Sequence, residues 1–92
     1  MRNHYMKSKM LPNSSFASAT ESVLYMLLEL DELVVEKAWF DRYSMYCQQK
    51  PQEAKEMASN QNHLRGCIKL LIEKGYIKTI PGEALERVSN HF

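Results

Sequence analysis

Six polar side chains crowd into residues 59–65: Ser59, Asn60, Gln61, Asn62, His63 and Arg65, interrupted only by Leu64. A hydroxyl, three amides, an imidazole and a guanidinium at this density offer hydrogen bonding, and none has a role in an apolar core. No catalytic motif stands in the rest of the chain. There is no Gly-rich phosphate loop, no GxSxG, no HExxH and no acid pair isolated in an apolar stretch. Glu29, Asp31 and Glu32 do cluster, but in an acidic run beside an expected helix end, where a solvated face explains them. His4, His63 and His91 are scattered, and none is spaced with a cysteine or acid as a metal site requires. Cys47 and Cys67 lie far apart without CxxC spacing and read as two reduced, partly buried thiols. The expectation is a non-enzyme without metal or cofactor.

The elements that must position the polar cluster follow from composition and periodicity. Ninety-two residues make one small domain, and 45% hydrophobic with 25% charged residues is the balance of an ordinary globular chain. No apolar run approaches the roughly 20 residues that span a bilayer. The first twelve residues are polar and basic, unlike a signal peptide, so the expected location is the cytoplasm. Net charge is +1, but its distribution is uneven. Glu21, Glu29, Asp31, Glu32 and Glu36 fall in a segment without lysine or arginine. Arg65, Lys69, Lys74 and Lys78 face only Glu73 over residues 59–82. The pattern predicts one acidic and one basic end of the molecule.

Residues 1–18 show little periodicity and read as a disordered basic arm, leaving a single domain over 19–92. Thr20 is a candidate N-cap for a first helix carrying Val23, Leu24, Leu27, Leu28 and Leu30 on one face. A second helix over 33–49 places Val35, Ala38, Trp39, Arg42, Tyr43, Tyr46 and Cys47 at three- and four-residue steps and ends at Pro51. Its aromatic content exceeds what one short helix needs for packing. Trp39, Phe40, Tyr43 and Tyr46 are therefore expected partly in the core and partly at a partner interface, with a homodimer the natural candidate. Pro51 opens a short third helix to Ala58. Leu64, Ile68, Leu71 and Ile72 stripe a fourth over 62–74, stopped by Gly75. Tyr76, Ile77 and Ile80 have strand character, as do Leu85 and Val88, with the Pro81-Gly82 turn between them.

Ala54, Met57 and Ala58, a polar turn, then Leu64, Ile68, Leu71 and the closing Gly75-Tyr76-Ile77 form a pattern over about residues 51–90. It resembles the winged helix-turn-helix family of DNA-binding domains. The chain departs from the family at Glu53, where an apolar residue is common, and in the longer, more aromatic stretch 33–50, which suggests an added dimerisation element. The resemblance implies a mainly α fold of about four helices with a small C-terminal β-hairpin. Residues 51–75 would be the helix-turn-helix and 76–90 the wing.

The same resemblance implies double-stranded DNA as partner and a small transcriptional regulator as function, with helix 62–74 in the major groove. Ser59, Asn60, Gln61, Asn62, His63 and Arg65 would then lie at or near the start of the recognition helix. Asparagine and glutamine pair with adenine and arginine with guanine, each contact giving about 1–3 kcal/mol of discrimination. Gln61, Asn62 and Arg65 are the expected base-facing residues. Lys69, Lys78, Thr79 and Arg87 are assigned to phosphate or wing contacts. Ser59 and Asn60 are also candidates to cap the helix, and Asn62 to stabilise the turn. The alternatives are a protein-interaction adaptor on the same fold and a replication or partition protein.

Overall fold

The structure, a computed structural model, describes residues 3–8, 16–57 and 60–82. The elements run β1 (His4–Lys7), α1 (Ala19–Met26), β2 (Val34–Val35), α2 (Glu36–Gln49), α3 (Pro51–Glu56), α4 (Gln61–Glu73) and β3 (Ile77–Ile80). Among the described residues the chain is a mostly helical domain of four helices and a three-stranded antiparallel sheet ordered β2-β1-β3.

The first helix is capped by Ser18 rather than Thr20. Ser18 Oγ accepts from the Glu21 amide at 3.3 Å, while Glu21 Oε2 accepts from the Ala17 amide at 3.0 Å, a variant of the capping box. The apolar run continues past Met26 but the helix does not, because α2 takes over the carbonyls at its end. Trp39 Nε1 donates to the Leu24 carbonyl at 2.8 Å and Arg42 Nη1 to that of Leu27 at 3.0 Å. Helix ends leave such acceptors without intrahelical partners, and here side chains from the next helix supply them. Arg42 also grips Glu32 through both guanidinium nitrogens, at 2.8 and 2.7 Å, which ties down a loop containing the left-handed residue Asp31 (φ 64°).

Helix α2 begins at Glu36 rather than Leu33, since the β-branched pair Val34-Val35 joins the sheet instead. Its aromatic residues correct the expectation of a partner interface. Trp39, Phe40 and Tyr43 belong to the core, and Trp39 is wholly buried. Tyr43 Oη donates to the Met57 carbonyl at 2.9 Å, and the half-buried Tyr46 donates to Glu53 Oε2 at 2.6 Å. Aromatic bodies with polar tips thus bind α2 to α1 and α3 within the domain. Glu53, exposed on α3, is thereby tied to α2.

Helix α4 buries Leu64, Cys67, Ile68 and Leu71 against Val23, Leu24, Leu28 and Ile77 in one continuous core. It ends as expected at Gly75, whose φ of 77° allows the Gly75 amide to reach the Ile72 carbonyl and that of Tyr76 the Leu71 carbonyl. This is the Schellman arrangement, and it turns the chain into β3.

The sheet corrects two expectations. His4–Lys7 are not a disordered arm but the central strand, pairing antiparallel with β3 (Lys7 with Ile77, His4 with Ile80) and with β2 (Tyr5 with Val34). Phe16 is also ordered against the rings of Tyr25 and Tyr76. Among the described residues β3 pairs with β1, and the second strand of the expected C-terminal hairpin falls outside them. The segment 83–90, with Leu85, Arg87 and Val88, lies outside the described residues. Alternation puts Tyr5, Lys7, Val34, Ile77 and Thr79 on the core side of the sheet. Tyr5 stacks 5.4 Å from Trp39, and the Lys7 ammonium sits 4.2 Å from the centre of the Tyr25 ring.

The predicted separation into acidic and basic ends is also corrected. Arg65 pairs with Glu36 and Lys74 Nζ lies 3.7 Å from Glu21 Oε1, so the acidic segment faces the basic one across the helices.

Candidate functional site

A helix turns 100° per residue, so burial of Leu64, Cys67, Ile68 and Leu71 on one side of α4 fixes what the other side presents. Asn62, Gly66, Lys69 and Glu73 run along the middle of the outward face, with Arg65 on one flank and Leu70 on the other; all six are exposed. Asn60 Oδ1 accepts from the His63 amide at 2.9 Å, so this amide is occupied as the helix cap. Gln61, Asn62 and His63 are exposed in the first turn, as the sequence predicted. His63 Nε2 lies 3.8 Å from Cys67 Sγ.

Arg65 is held rather than free. Its Nε and Nη2 donate to Glu36 Oε1 and Oε2 at 3.2 and 3.4 Å, linking the first turns of α4 and α2. The pair borders a cleft of about 590 Å³ that Tyr5, Lys37, Asp41 and Gln61 also line. Burial and then the Glu36 carboxylate push the Tyr5 hydroxyl up, with Arg65 opposing, so it stays a proton donor. A second cleft of about 730 Å³ runs between α2, α3 and the start of α4, and Phe40, Asp41 and Gln61 line both. The first turn of α4 therefore stands between open surface on one side and polar clefts on the other.

Lys69 is exposed on the outward face, on the same element as Asn62 and Arg65. Lys78 is exposed on the outer side of the sheet, while Thr79 is half-buried on its core side, so these two neighbours cannot serve one surface. Ser59 and Arg87 lie outside the described residues. Helix α4 thus brings together Gln61, Asn62, His63, Arg65 and Lys69.

Sequence reasoning missed Glu36, Tyr5 and Asp41. Glu36 sat in an acidic run, Tyr5 in an expected arm and Asp41 among aromatics, and only tertiary contact brings them beside Arg65. Gly66 was visible in the sequence, but its place at the centre of the exposed face needed the burial pattern.

Burial, followed by the Glu21 carboxylate, pushes the Cys67 thiol up and so keeps it protonated. Among the described residues no three histidines, cysteines or acids come together as metal ligands, and no helix is long and apolar enough to cross a membrane. No family model, no curated protein and no solved structure matches this chain.

Proposed function

We propose that the domain binds double-stranded DNA as a small transcriptional regulator, inserting α4 into the major groove. The observation that carries this reading is the outward face of α4. Asn62 and Lys69 are exposed there at helical spacing, with Arg65 on the flank and Gln61 preceding them, and together they offer amide and cationic donors of the kind that read base edges and phosphates. The succession of α2, the short α3, α4 and the following strand supports a relative of the winged helix-turn-helix, with β3 and its outward Lys78 beside the recognition helix. A duplex target places the protein in the cytoplasm, on the nucleoid.

The test is a fluorescence-anisotropy titration of a random-sequence duplex at two salt concentrations, with Arg65→Ala and Lys69→Ala in parallel. The reading expects affinity to fall with salt, with a logarithmic slope of about −0.9 per phosphate contact, and each substitution to weaken binding in a still-folded domain. No binding by the unmodified domain at low salt would sink it.

One observation favours a second reading, a protein-interaction module or homodimer. With the aromatic residues of α2 taken into the core, Met26, Leu30 and Leu33 around the α1–β2 connection remain 55%, 54% and 42% exposed. A self-associating domain would use this segment, and sedimentation of Leu30→Ser against the unmodified chain tests that association.

A further inference from the structure

A glycine inside a helix costs stability relative to alanine, because it loses more backbone freedom on folding and contributes no side chain. Proteins commonly retain it where a positive φ or a close internal approach excludes a Cβ. Neither condition holds at Gly66. Positive φ occurs among the described residues only at Asp31 and Gly75, and a Cβ added at Gly66 would meet nothing within 4 Å. The domain gains nothing internally from this glycine.

Its position is informative. Gly66 stands at the centre of the exposed face of α4, one turn after Asn62 and three residues before Lys69. Arg65 and Lys69 are the cations of that face, opposed on the same helix by Glu73, and the amides of Gln61 and Asn62 precede them. Bare helical backbone framed by an amide and an ammonium lets a polar, negatively charged surface approach closer than any side chain would permit. The floor of the major groove fits this description: it is lined by hydrogen-bonding base edges and walled by phosphates.

We infer that Gly66 is the point of closest approach between α4 and bound duplex DNA, and that its missing side chain sets the depth of the helix in the groove. Lys69 is thereby assigned to the groove floor with Asn62, on either side of the glycine, rather than to the phosphate backbone. This inference rests on the DNA-binding reading.

The experiment compares the unmodified domain with Gly66→Ala and Gly66→Gln, measuring thermal unfolding and anisotropy on the random-sequence duplex. Gly66→Ala is expected to raise Tm by a few degrees while weakening DNA binding severalfold, because a helix held off the groove floor also loses phosphate contacts. Gly66→Gln, which keeps polarity but fills the gap, is expected to weaken binding further. A gain in stability with a loss of binding excludes misfolding as the cause. If the unmodified domain binds and both variants bind equally well, the close approach is overturned and the DNA reading stands. If the unmodified domain does not bind, both fall together.

Discussion

Glu36 at the start of α2 holds the Nε–Nη2 edge of Arg65 in α4, through contacts of 3.2 and 3.4 Å. The guanidinium expected to read a base is thus occupied by a carboxylate in the free domain. A guanine or phosphate that uses that same edge must displace the carboxylate, and the exchange is inexpensive because the pair is well exposed. Glu36→Gln should therefore raise affinity for random-sequence duplex about two- to fivefold at low salt, the size of an exposed ion pair. Combined with Arg65→Ala, the gain should shrink to what one fewer negative charge provides. Anisotropy titrations of the two single variants and the double variant measure the coupling.

Trp39 carries a different consequence. Its ring is fully buried and its indole N–H meets the Leu24 carbonyl at 2.8 Å. Trp39→Phe should cost about 1–3 kcal/mol by leaving that carbonyl without its donor, and Trp39→Ala about 3–5 kcal/mol by adding a cavity. Urea denaturation gives both values. A loss of oligomeric state without loss of stability would contradict the core assignment.

Glu21 is buried, with one oxygen on the Ala17 amide and the other 3.7 Å from the Lys74 ammonium. Removing the cation alone should hurt more than removing the pair. Lys74→Ala is expected to destabilise by about 1–2 kcal/mol, less than a fully buried pair would, because Lys74 is a third exposed. Adding Glu21→Gln should restore part of that loss. A double-mutant cycle by thermal or urea unfolding decides it.

Hydrogen bonds from Arg42 hold the Glu32 carboxyl below its usual range. A depressed folded pKa means that the ionised form is favoured by folding. The stability it contributes is present above the ordinary carboxylate value and is lost as pH falls through the lowered one. Glu32→Gln should flatten that part of the acid limb of a stability–pH profile and leave the neutral region nearly parallel to that of the unmodified chain. The effect is small, since the pair is about a third exposed.

The sequence reading succeeded where local physics decides. The stripe Leu64, Ile68, Leu71 and the stop at Gly75 located α4, because 3.6-residue periodicity and a left-handed cap need no distant partner. It failed where a distant partner decides. His4-Tyr5-Met6-Lys7 lacks a strong alternating pattern and becomes a strand only because Ile77–Ile80 lies beside it. The aromatic residues of α2 were legible as a helix face, but their polar tips have acceptors on α1 and α3 that no spacing within α2 reveals. The amides before Leu64 were legible as an exposed polar cluster, whereas the carboxylate that restrains Arg65 comes from 29 positions earlier.

The pairing of β1 with β3 also shapes how the chain reaches this state. His4 faces Ile80, so the whole helical part of the molecule forms one loop between the two strands. During synthesis β1 is made first; the short β2 offers it two residue pairs, and its longer partner exists only after α4. The helices can gain structure early from neighbouring contacts, but the sheet must close a loop whose entropic cost falls at a single late step. Completion of the core is thereby deferred to the arrival of Ile77–Ile80, and a nascent chain that stops short of them lacks Ile77 and most of the pairing that holds β1.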